Sequence, residues 1–495
     1  MNYTTKNIKT TLIAFSILIG LTGCIDFLEE KVYTEYNPNE FLKDKSGVDA
    51  LLTGAYARSR IIAYDHRNYT YLLNEFCTDV SFETGGGLEA VAAPFIQFTW
   101  PVNNGVLNGQ WDKMYGAIAS ANTVLAVAAD LQDLSEDELN AINGEARFIR
   151  ASAYYNLYNL FGPTPIIDIP AGATPDEIEE IGKGTPRPTK DEFFSYVIAD
   201  LQFAADNLPI EETLIGRATK GAALGYLMKF YFNDKNWEKA SDTAQEIIDL
   251  NYYRLYEDYE KLFSINGEAN KEFIFRAPCL PQSGYQNNYM AHAFPPGYPV
   301  MATWANYGAQ FRTYTDFYET FDAQDIRRKL FVTDYVDITG KNIELLYSQD
   351  GRPLDNARSF KYWPDPNGIA ENHGNDIVYI RFADVLLSRA EALNEVNGPN
   401  AESISLINQI RLRAGVDEIQ LNDFSSKDGL RDFILEERGR EFYTEGLRRE
   451  DLIRHGKFIS SAQSRGYNAQ PHQVLYPIPL QQLETNPNLE QNPGY

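Results

Sequence analysis

Leu21-Thr22-Gly23-Cys24 sets a thiol directly behind small residues. It closes a stretch with Lys6 and Lys9 at its start and no charge from Thr10 to Cys24. A basic start, a short apolar run (Leu12, Ile13, Ala14, Phe15, Ile17, Leu18, Ile19) and a small-residue cleavage point read as a secretory signal. The run is too short for a membrane span, which takes roughly 20 residues. A cysteine at that place has the chemistry of a bacterial lipobox. Its thiol takes a diacylglycerol, cleavage leaves Cys24 first, and the new amine is acylated. Several acyl chains anchor stably where one is marginal.

The remaining reactive residues fall into no catalytic pattern. The five histidines (His66, His292, His373, His455, His472) form no H-E-x-x-H pair, and no C-x-x-C exists. No G-x-S-x-G elbow is present. Gly85-Gly86-Gly87 lacks the spacing of a phosphate-binding loop and reads as a flexible loop. Asp365, Asn367 and Glu371 faintly suggest a calcium loop, with the wrong spacing for an EF-hand. Glu436, Glu437, Arg438, Arg440 and Glu441, followed by Arg448, Arg449, Asp451 and Arg454, alternate in sign at helical spacing. That pattern reads as helix-surface and semi-buried ion pairs rather than an active site. No metal, no cofactor and no enzyme activity are expected. Cys77 and Cys279 either pair or stay as two buried thiols.

The positive signal is aromatic: 32 Tyr, 28 Phe and 5 Trp. Tyr and Trp present a flat apolar face and a hydrogen-bonding edge, which matches the C–H face and hydroxyl rim of a sugar ring. Tyr64, Trp100, Asn103, Tyr285, Tyr289, Trp304 and Tyr307 are the candidate ligand contacts, with Tyr298 and Trp363 in similar loops. Asn104, Asn287, Asn288 and Asn306 lie close by in sequence and could bond hydroxyls. Trp111 and Trp237 fall on helix faces and read as core. A formal net charge of −25 makes nucleic acid a poor partner, since phosphate binding needs a basic face.

The elements that must position these residues are mainly helices. Helices are expected at about 111–131, from the Ser135–Glu138 capping box to before Gly162, at 190–207, 217–232, 237–250, 379–396, 400–414 and 428–445. Ala218, Gly221, Ala222 and Gly225 make a small face that admits a neighbouring helix. Residues 217–232 and 237–250 form an αα-hairpin like a tetratricopeptide pair. Residues 171–188 read as a loop, and the tail 476–495 as irregular. The expected organisation is a signal peptide (1–23), a lipidated N-terminus and tether (24–45), an N-terminal helical region (46–264), a loop-rich insert with a few short strands (265–375) and a C-terminal helical region (376–495). Residues 46–495 are expected to make one unit. Loops carried on a rigid scaffold are where function tends to sit.

These blocks resemble the SusD/RagB family of surface lipoproteins of the Bacteroidetes over the whole chain. The resemblance rests on Cys24-Ile25-Asp26-Phe27-Leu28, Trp111 to Ile118 with Asn122, and Glu145 to Ala151 with Tyr154 and Phe161-Gly162. It continues through Arg381 to Leu387 with Ala390 to Asn394, Ile407 to Gly415, Glu437 to Glu441 with Glu445 to Arg448, and Tyr476-Pro477-Ile478-Pro479. It implies a mainly α, tetratricopeptide-like scaffold with a large irregular insert. It also implies a non-catalytic role at the outer membrane, facing the exterior: capture of an oligosaccharide and delivery to a SusC-like TonB-dependent transporter, on which the protein sits as a lid. Peptide cargo, as in the RagB branch, and a protein-binding adaptor remain alternatives. Asp26, Glu29 and Glu30 resemble a surface-export signal. The matched blocks are structural, so only Cys24 carries a role over.

Overall fold

Side-chain caps open most helices of the N-terminal half. The computed structural model describes residues 42, 44–64, 69–169, 173–308 and 310–495. Val48–Tyr495 is one unit with its own core. Helix α1 spans Lys45–Tyr64, strand β1 Ser81–Glu83, α2 Glu89–Gln97 and α3 Gly105–Asp130. The Asn104 carboxamide accepts the Val106 and Leu107 N–H groups and so starts α3. Helix α4 (Glu136–Phe161) opens on the expected Ser135–Glu138 capping box. Residues 171–188 are not all loop: α5 spans Pro175–Gly184. Thr174 and Glu177 form its capping box, and Pro175 sits at the first turn, where its missing N–H costs nothing. Helices α6 (Lys190–Asn207), α7 (Lys220–Asn233) and α8 (Trp237–Asp249) follow.

Neighbouring pairs α3–α4, α4–α6, α6–α7 and α7–α8 pack along the series. The interface is aromatic: Tyr154 meets Phe193 edge-on at 5.6 Å, and Tyr155 meets Phe230 at 5.1 Å. Each fully buried large side chain contributes roughly 1.5–3 kcal/mol. At its two glycines the small face of α7 does not receive a helix. A Cβ at Gly221 would strike the Tyr253 ring, and one at Gly225 would lie 2.9 Å from Ile380. A ring and a strand fill the space instead.

The insert is closed by a ladder. Strand β2 (Phe273–Ala277) enters it, followed by α9 (Tyr289–Ala293), β3 (Phe311–Thr313), α10 (Thr315–Tyr318), β4 (Phe331–Val332), β5 (Asp334–Val336), β6 (Asn342–Glu344), β7 (Arg358–Ser359) and β8 (Ile377–Arg381). Strands β2 and β8 pair antiparallel, Phe273 opposite Arg381. The other two-stranded ladders are β1–β3, β4–β7 and β5–β6. Residues 379–381, expected as the start of a helix, are therefore strand, and α11 begins at Phe382 (Phe382–Asn397). Helices α12 (Ala401–Arg413), α13 (Lys427–Phe442), α14 (Arg448–Arg454), α15 (Phe458–Ser464) and α16 (Leu480–Thr485) complete the chain. The helix expected to reach residue 445 stops at Phe442. Thr444 turns left-handed (φ 66°), and its N–H is taken by the Glu75 carboxylate at 2.8 Å. Cys77 and Cys279 are both buried and form no disulfide with one another.

The charges of α13 lie deeper than their alternation suggests. Glu436 stays at the surface, but Glu437 and Glu441 are fully buried. The Glu441 carboxylate accepts Arg381 Nη1 at 2.6 Å and Arg327 Nη1 at 3.1 Å, and Arg413 as well. Glu445 accepts Arg381 Nε at 2.8 Å and Lys361 Nζ at 2.5 Å. Glu272 takes Arg381 and Arg413, each at 2.7 Å. Burial by itself would raise the carboxyl pKa of Glu437; the guanidiniums of Arg327, Arg440 and Arg411 outweigh it and hold the group at about 2. Glu441 is likewise held below the usual carboxylate range.

Removing one partner of such a buried pair costs about 3–5 kcal/mol. Glu441→Gln is expected to lose that much in urea unfolding. The depressed carboxylates bind fewer protons folded than unfolded, so their stabilisation is complete above about pH 4.5 and is lost as pH falls toward 2. A pH series of melting temperatures should show this acid limb, shallower in Glu441→Gln.

Candidate functional site

Several aromatics of the insert pack around one buried ring and reach the surface from it. Phe294 is fully buried just after α9. Trp304 lies parallel to it (11°, 5.8 Å) and Tyr298 likewise (17°, 5.9 Å). Phe360 meets Phe294 edge-on at 5.5 Å, and Trp363 packs on Phe360 at 6.3 Å. Tyr335, from β5, reaches Tyr298 at 5.5 Å, and its hydroxyl donates to the Pro296 carbonyl at 2.5 Å. The outcome is an aromatic shelf: Trp363 is 51% exposed, Trp304, Tyr298 and Tyr335 are half-buried, and Met301 and Ile369 are exposed at its edge.

Backbone pairing fixes the shelf. Ala305 N–H donates to Ala370 at 2.8 Å, and Ala370 N–H to Thr303 at 2.7 Å, so residues 303–305 and 370 lock together beside Trp304. Asn287 and His373 exchange both backbone bonds, at 2.8 and 3.0 Å. The hairpin tip docks through Ile338 N–H on Gly297 at 3.0 Å. His373 backs Trp304 at 5.6 Å. Burial lowers the His373 pKa to about 4 against the pull of Asp365, so the ring is neutral near pH 7. Its Nδ1 accepts the Asp365 N–H at 3.2 Å, which leaves the proton on Nε2.

The sequence candidates divide. Trp304 joins the shelf, and Tyr307 (47% exposed) lies beside it, on His292 at 4.9 Å. Tyr285 goes elsewhere, to a cleft of about 300 Å³ with Tyr56, Leu214, Ile215 and Tyr379. Trp100 (5% exposed) is core rather than contact: it packs on Phe98 and Tyr476 and donates Nε1 to the Tyr495 hydroxyl at 3.0 Å. Tyr289 (4% exposed) is also core, between Tyr71, Phe311 and Tyr362. A side chain enclosed in this way has no face to offer a ligand. Asn103 is exposed in the turn that enters α3. The side chain of Tyr64, and Cys24, lie outside the described residues.

The nearby amides serve as loop struts: Asn306 donates to Pro295 and accepts from Gly308, and Asn287 donates to Asn375 and accepts from Tyr289. Asp365 is buried, and its two oxygens take the N–H groups of Asn367 (2.8 Å) and Gly374 (3.0 Å), which leaves it turned inward rather than toward a calcium ion. Among the described residues no three His, Cys, Asp or Glu converge as metal ligands. Tyr335 was the contributor missed in sequence; only its alternation with exposed Asp334 and Val336 marks it as facing inward.

A surface of this kind stacks on flat apolar faces. The two classes of tryptophan should separate in stability. Trp100→Ala empties core and should cost about 3–5 kcal/mol. Trp363→Ala should change unfolding free energy by no more than about 0.5 kcal/mol. Paired urea titrations check both.

Two family models match the chain: the SusD family over residues 271–495, and a starch-binding group associating with the outer membrane over residues 26–232. A SusD-like protein of Formosa agariphila is 31% identical over 532 aligned residues, covering 99% of this chain and 100% of its own. The starch-binding protein SusD of Bacteroides thetaiotaomicron is 25% identical, over 74% of each chain. Among solved structures, a laminarin-binding SusD-like protein superposes with a TM-score of 0.76 at 23% identity, over 92% of this chain and 100% of that one.

Proposed function

The chain belongs to the SusD family, and from that premise we propose that its aromatic shelf captures glycan at the cell surface without chemically altering it. The observation that carries this is the cluster of Trp363, Trp304 and Tyr298, each exposed or half-buried, and each packed on the buried Phe294–Phe360 pair and so held without further ordering. Pre-set rings lose little conformational freedom on binding. The starch and laminarin specificities named for relatives support the cargo class. The outer-membrane association in the description of one family model supports the location. In this scheme Cys24 carries the lipid anchor, and the protein passes its cargo to a TonB-dependent transporter, over which it acts as a lid. Capture before release requires an open and weak site, and rings that reach the surface meet that need.

The test is affinity electrophoresis of the soluble protein from residue 25 onward against polysaccharides and peptide mixtures, followed by calorimetry on whatever retards it. At least one glycan is expected to retard it. Trp363→Ala and Trp304→Ala should each weaken that binding at least tenfold, about 1.4 kcal/mol. Unchanged affinity in both variants would remove the shelf as the site, and binding to peptides alone would change the cargo. Separately, Cys24→Ser in cells should abolish fatty-acid labelling and release the protein from the membrane fraction.

A further inference from the structure

Apart from Tyr335, two segments build the shelf, residues 294–308 and 358–375, and together they present almost no charge. Residues 294–308 contain no Asp, Glu, Lys or Arg. In the second segment both cations are turned inward. Arg358 is fully buried, donating to the Asn356 side chain at 2.8 Å and to the Phe311 carbonyl at 3.2 Å. Lys361 is 1% exposed and spends its ammonium on the carbonyls of Glu441 and Tyr443 and on Glu445. Asp365 is buried on backbone N–H groups. That leaves Glu371, half-buried, with its carboxylate facing the Tyr307 hydroxyl. The neighbouring β5–β6 hairpin adds exposed Asp334 and Glu344 against one exposed cation, Lys341.

We infer that the shelf selects neutral saccharides and rejects those bearing carboxylate or sulfate, and that Glu371 is the residue that sets this choice. The inference rests on the capture function proposed above. A carboxylate or sulfate is recognised by guanidinium or ammonium donors, and both cations of the two shelf segments are already engaged in the interior. Glu371 is an acceptor at the rim. Sugar hydroxyls can donate to it, whereas an anionic substituent has no proton to give and meets like charge. Specificity of this sort comes from a repulsive element as much as from an attractive one.

The experiment compares the soluble protein on neutral glycans (laminarin, soluble starch, galactomannan, xylan) and anionic ones (polygalacturonate, alginate, chondroitin sulfate) at low salt. The carboxymethyl derivative of whichever neutral glycan binds is added. The quantity read is the ratio of neutral to carboxymethyl affinity. The expected ratio is at least fivefold for the wild type, near one for Glu371→Gln, and inverted for Glu371→Lys, with melting temperatures confirming that each variant is folded. Retardation by the anionic panel alone, or a wild-type ratio of one, overturns the inference and leaves glycan capture standing. A ratio unmoved in Glu371→Gln overturns the role of that residue. No retardation by any glycan overturns the capture function and this inference with it.

Discussion

The insert and the C-terminal region are arranged around a carboxylate with no access to water. Glu441 on α13 must meet guanidiniums from the end of β8, from α12 and from the turn at 326–330. Taking an ion out of water costs several kcal/mol, which only a complete set of partners offsets. Against a well-packed apolar cluster such a network adds little net stability. Its effect is on placement. The insert, which supplies Arg327 and Lys361, and the C-terminal region, which supplies Arg413 and Glu441 from helices and Glu445 from the turn after α13, are satisfied together only when both are seated.

From that centre the order extends outward. The β2–β8 ladder brings both ends of the insert to Arg381. Within the insert the chain has little regular structure, and rings take over the work of a core: Phe294, Phe360, Tyr298 and Trp304 support one another at centroid distances below 6 Å. Charge and aromaticity are thereby sorted. Arg327 and Lys361 face the interior network, Arg358 is buried on Asn356 and the Phe311 carbonyl, and the rings reach the surface. A shelf left with apolar faces and few ions follows from how the interior is neutralised.

The scaffold was legible because its signals are local. Capping boxes at Ser135 and Thr189 and the turn 233–236 mark boundaries by chemistry within four residues. Helix α5 carried an equally local signal in Thr174, Pro175 and Glu177, hidden by a stretch whose Pro and Gly content reads as loop. The site was legible only in kind. Loop position picked out Trp304, Tyr307 and Trp363, which stay at or near the surface, and equally Trp100 and Tyr289, which do not. Nothing near residue 100 in sequence announces Tyr476 or Tyr495, the partners that enclose it. Helical periodicity likewise shows alternating charge on α13 but not the arginines from elsewhere that draw Glu437 and Glu441 inward.

The enclosure of Trp100 also bears on timing. Its indole bonds a residue 395 positions later, Tyr476 reaches back 403 positions to Leu73, and Arg448 back 369 to Asp79. Closing loops of that length precedes any reward from the contacts they bring, and chains rich in such pairings fold slowly. The first hundred residues therefore cannot complete their core until residues near 490 are available. A chain delivered N-terminus first through a membrane pore would keep its first hundred residues from completing their core until nearly all of it had emerged. The same stitching that makes the finished molecule rigid thus keeps it threadable while it is still on the way.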